Sequence, residues 1–91
     1  MPKYVIERQL PGAGTLSADE LTAISTRSNE ILAAMAPRVQ WVQSYVTDDK
    51  LFCVYIGDDT ETICEHARRG GFPADAVHAV HTIIDPITAE S

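Results

Sequence analysis

The run Tyr4-Val5-Ile6-Glu7-Arg8-Gln9-Leu10 is rich in β-branched and aromatic residues and is stopped by Pro11-Gly12-Ala13-Gly14, which predicts a first strand and its loop. Ser17 with Glu20 three positions later is a capping box, so a helix starts there. Leu21, Ile24, Ile31 and Met35 recur at helical spacing, Ser28 fills the same stripe, and Pro37 ends the pattern. Two strand-like runs, Val39 to Val46 and Leu51 to Ile56, flank the polar turn Thr47-Asp48-Asp49-Lys50 and predict a hairpin. Asp58-Asp59-Thr60 offers N-caps for a second helix through about Arg69, closed by Gly70-Gly71. A last strand is expected from about Val77 to Ile84, before Asp85-Pro86 and a polar tail.

The order βαββαβ predicts a ferredoxin-like α+β sandwich: a four-stranded antiparallel sheet with both helices on one face, because right-handed crossovers carry them to the same side. With Asp48-Asp49 as the turn, Trp41, Gln43, Tyr45, Phe52, Val54 and Ile56 fall on one side of the hairpin. Val42, Ser44, Val46, Leu51, Cys53 and Tyr55 fall on the other. Both sides carry large apolar groups, yet helices cover only one, so a homodimer packed through the open sheet face is expected.

Ninety-one residues leave room for one domain, residues 1–91. Apolar residues at 45% and charged residues at 22% exclude a disordered chain. Seven basic against thirteen acidic residues give a net charge of −6, which repels phosphate backbones and anionic lipids, so neither nucleic acid nor a membrane is an expected partner. The longest apolar run, Ile31 to Ala36, is too short to span a bilayer, and charge interrupts the first eight residues before any signal-like core, which makes a cytoplasmic address the expectation. Cys53 and Cys64 lie eleven positions apart, outside the spacing of a zinc or redox motif, and read as free thiols.

Three residues stand out against the apolar pattern. His66 follows Ile63 by three positions, which turns it toward the buried stripe. It reads as a metal ligand, as a general base, or as a boundary histidine bonded to a nearby carbonyl. Cys53 sits mid-strand opposite Ser44, either a soft ligand or a small hydrophobe. Glu7 lies in a strand that this topology makes central, where a carboxylate must be ion-paired, metal-bound or wet. His78 and His81 are three apart on an expected strand, so they point to opposite faces and at most one joins any site. Gly12-Ala13-Gly14 lacks the spacing and lysine of a phosphate loop, and no serine elbow or zinc-protease pair is present.

Read together, Tyr4-Val5-Ile6-Glu7-Arg8-Gln9-Leu10-Pro11-Gly12, Trp41 through Lys50, Cys53-Val54-Tyr55 and Glu65-His66-Ala67-Arg68-Arg69-Gly70-Gly71-Phe72-Pro73 resemble a family of small bacterial proteins long classed as a domain of unknown function. Its best-known member is an actinobacterial nickel-binding protein. The resemblance implies a ferredoxin-like fold, a dimer of the α+β barrel kind, and a nickel ion bound for storage, buffering or sensing rather than catalysis. His66, Glu7 and Cys53 lie in family-like segments and carry donor atoms, so they are the expected metal residues. The alternative is a small-molecule binder or cofactor-free monooxygenase of the same architecture, with Trp41, Tyr45, Tyr55 and Asn29 around a pocket and His66 as proton acceptor.

Overall fold

In a computed structural model, which describes residues 1–90, the chain folds as β1 (Lys3–Gln9), α1 (Ala18–Met35), β2 (Val39–Val46), β3 (Lys50–Gly57), α2 (Thr60–Gly70) and β4 (Ala76–Ala79). The sheet order is β2-β3-β1-β4, antiparallel throughout, which is the ferredoxin-like topology expected from the element order. Local chemistry places the helices. The Ser17 hydroxyl accepts from the Glu20 N–H while the Glu20 carboxylate accepts from the Ser17 N–H, and Asp59 caps α2 by accepting from the Thr62 N–H at 2.8 Å. Gly71, at φ +68°, closes α2 in the left-handed conformation that favours glycine.

Parity along β1 sorts its residues between two environments. Tyr4, Ile6 and Arg8 are buried under the helices; Lys3, Val5 and Glu7 are half-buried on the open face. The core gathers Tyr4, Ile6, Leu32, Met35, Val39, Cys53, Tyr55 and Ile63 between the layers. No helix is long and apolar enough to cross a membrane among the described residues.

Two expectations need correction. The hairpin keeps the predicted pairing from Val46↔Leu51 to Gln43↔Val54, but an irregularity between Trp41 and Gln43 shifts the register, and Trp41 pairs with Tyr55. A bulge at Val42 reverses parity, so Trp41 joins the helix side with Ser44, to whose hydroxyl its indole N–H donates at 3.0 Å, while Val42 is exposed. The last strand stops at Ala79 rather than Ile84, because β4 runs antiparallel to β1 and β1 begins at Lys3. One further bond, from the Val80 N–H to the Lys3 carbonyl, exhausts the available partners, and Ile83, Ile84 and Ile87 stand exposed beyond the sheet.

Candidate functional site

The residues singled out in the sequence divide between the two faces of the sheet. His66 is completely buried, with its ring centroid 5.1 Å from that of Tyr55 and 5.8 Å from that of Phe72. Its Nε2 lies 3.3 Å from the Ser28 hydroxyl, and its Nδ1 has no partner. Ser28, on the inner stripe of α1, therefore meets the imidazole of α2. Burial, reinforced by the positive charge of Arg8, lowers the His66 pKa to about 4, so the ring is neutral near pH 7. This is the core-histidine arrangement: a ring sealed by two aromatic neighbours rather than a group facing solvent.

Cys53 is buried on the same side of the sheet, and both cysteines are free thiols. Glu7 is on the opposite side. It is half-buried on the open face, where Lys50 Nζ donates to its Oε2 at 3.0 Å. Glu7 therefore cannot share an ion with His66 and Cys53 inside one protomer, and the seat expected from these three residues does not form. Alternation along β1 is the physical reason, since Ile6 in the core forces its neighbour Glu7 outward. Among the described residues no cluster of three or more His, Cys, Asp or Glu side chains comes together. The interior fits a divalent cation poorly for a second reason: the buried charge next to His66 is the Arg8 guanidinium. Glu65, on α2, is the hub of an ion-pair group with Arg38, Arg68 and Arg69.

A different pair of donors does share a face. Val5 pairs directly with His78, and Glu7 with Ala76, so Glu7 and His78 are diagonal neighbours across the β1–β4 ladder on the open face. Such neighbours are about 7–8 Å apart at the backbone, within reach of long side chains. His78 is exposed; His81 lies past the end of β4.

Between the sheet and the N-terminal half of α1 lies a cavity of about 70 Å³, walled by Leu21, Ile24, Leu51 and Phe72 among others, with Arg8, Ser28, Trp41, Ser44, Cys53 and Tyr55 in its lining. Tyr55 and Trp41 thus occupy the places expected of pocket residues. Tyr45 and Asn29 are exposed outside it, and His66 is packed behind its wall. Burial raises the Tyr55 phenol pKa, an effect partly opposed by Arg8. Arg8 is the residue the sequence reading passed over as a candidate. The signal was available in its phase: it lies in step with Tyr4 and Ile6, at period two.

The architecture and its topology define a small α+β domain of the ferredoxin-like class. A protein-family model described as "Nickel responsive protein SCO4226-like" matches residues 4–80, and the chain belongs to that family. Among solved structures, the crystal structure of SCO4226 from Streptomyces coelicolor A3(2) superposes with a TM-score of 0.76 at 16% sequence identity, covering 90% of this chain and 99% of that one. No curated protein matches.

Proposed function

We propose that this protein binds nickel as a homodimer through its open sheet face, and that it serves buffering or sensing of the ion rather than turnover. Membership of a family described as nickel responsive is the observation that carries the reading. The chemistry of the open face supports it. Glu7 and His78 supply a carboxylate and an imidazole, a donor set suited to Ni(II), and the net charge of −6 favours cations over anions at long range. Two copies related by a twofold axis would bring two such pairs to one interface, since a closed dimer uses the same patch twice. The same face presents Phe52, Val54 and Ile56 half-buried and Tyr45 56% exposed, apolar surface that a second copy would cover. Glu7, expected from the sequence as a ligand, stays in this reading; His66 and Cys53 leave it because the first is sealed in the core and both face away from Glu7.

The test is calorimetric titration of the metal-free protein with nickel chloride, alongside light scattering of the eluted species. Glu7→Gln with His78→Ala is expected to weaken nickel at least tenfold, and His66→Leu to leave it within twofold. Unchanged affinity in the double variant, or a monomer at micromolar concentration, overturns the reading.

A further inference from the structure

Arg8 is 3% exposed and lines the cavity under α1. One arm of the guanidinium is anchored, with Nη1 donating to the Pro73 carbonyl, and the group sits over the Phe72 ring, with Cζ 5.5 Å from the ring centroid. Nη2 is buried and makes no hydrogen bond within bonding geometry, while the Tyr55 phenol lies close enough to feel the guanidinium charge. Among the described residues no carboxylate lies within ion-pairing distance of this side chain, because the nearest in sequence, Glu7, is held by Lys50 across the sheet. A buried cation without a counter-charge is costly, and native proteins pair such groups. Here the free donor belongs to the lining of a hole whose other walls are mainly apolar, with hydroxyls from Ser25, Ser28, Ser44 and Tyr55 and the Cys53 thiol as its polar side chains besides Trp41.

We propose that this cavity binds a small organic anion, a short-chain carboxylate whose negative group pairs with Arg8 Nη2 and whose alkyl body lies against Leu21, Ile24 and Leu51. The planar fork of arginine suits a carboxylate, and the anchored Nη1 presets its orientation. Size sets the class: at about 70 Å³ the hole is smaller than the apolar cavity of ~150 Å³ that takes benzene, so a branched four-carbon acid suits it better than an aromatic one. This site is separate from the open face, on the other side of the sheet.

Trp41 is the sole tryptophan of the chain and lines the cavity, so its fluorescence reports occupancy. The protein is titrated with isobutyrate, with the neutral isosteric isobutyramide, with benzoate and with inorganic phosphate, at constant ionic strength. Saturable quenching or enhancement by isobutyrate is expected, with the amide, benzoate and phosphate each at least tenfold weaker. Arg8→Met is expected to fold, since a buried unpaired charge is replaced by an apolar side chain, and to lose isobutyrate binding at least tenfold. Should that variant fail to fold, Ser44→Leu fills the cavity from β2 and leaves Arg8 in place; because Ser44 also accepts from the Trp41 indole N–H, this variant is read by isothermal calorimetry, and it is expected to lose the heat of isobutyrate binding. No saturation with isobutyrate, equal binding of the amide, equal or tighter binding of benzoate or phosphate, or retained binding in whichever of the two variants folds overturns the proposal.

Discussion

Glu7 and Arg8 are neighbours in the same strand, and the sheet sends them into opposite surroundings. Glu7 meets Lys50 at 3.0 Å on a half-wet surface, where a charge keeps most of its hydration. Arg8 enters the layer between sheet and helices with one amine left unpaired. A shift of one position along a strand thus separates a charge the solvent tolerates from one the protein must accommodate with carbonyl, ring and cavity. The difference also underlies the two ligand proposals, a cation beside Glu7 and an anion beside Arg8.

The comparison breaks most severely on the helix side. His66→Ala would leave a hole between Tyr55 and Phe72, and chemical denaturation should register a loss of about 3–5 kcal/mol, the range for truncating a buried ring. A somewhat smaller effect is expected from acid. With the His66 pKa lowered from 6.5 to about 4, the unfolded chain takes up a proton between those values and the folded chain does not. The contribution of this residue is therefore complete above pH 6.5 and is lost as pH falls toward 4, by about 3 kcal/mol in total. Denaturation curves of the protein and of His66→Leu should converge across that window; parallel curves would remove His66 from the account. The smallest effect belongs to the open face, where Glu7→Gln should alter monomer stability by less than about 1 kcal/mol, since its partner is solvated. A larger loss, measured by urea titration at a concentration too low for association, would mean that the two faces of β1 are less different than their exposure implies.

Much of the fold was legible because its signals are local. The Ser17–Glu20 capping box, the Asp59 cap and the Gly71 stop each act within one helical turn, and each lies where the sequence puts it. Hairpin pairing from Val46↔Leu51 to Gln43↔Val54 followed from a short turn for the same reason. Trp41 escaped because a bulge at Val42 is a property of two paired strands and leaves no mark in one. The end of β4 escaped because it is set by where β1 begins, more than seventy positions earlier. The candidate site was read less well than the fold. Donor chemistry singled out Glu7, Cys53 and His66, but their grouping required knowing which parity of β1 faces the helices. Tyr4 and Ile6 answer that question, and they carry Arg8 inward with them.

The helix side also depends on a residue without a side chain. A β-carbon at Gly70 would overlap the Phe72 ring, which lies beneath Arg8 and walls the cavity, so position 70 must be bare for that ring to lie where it does.

The sheet joins Tyr4 to Ala79, so its central strand leaves the ribosome well before the edge strand that pairs with it. During synthesis β2 and β3 can zip as a hairpin while β1 still has one edge bare, and the nascent chain carries that unpaired edge until 75 further residues have followed Tyr4. Pairing across so many intervening positions is by general rule slower than forming either helix.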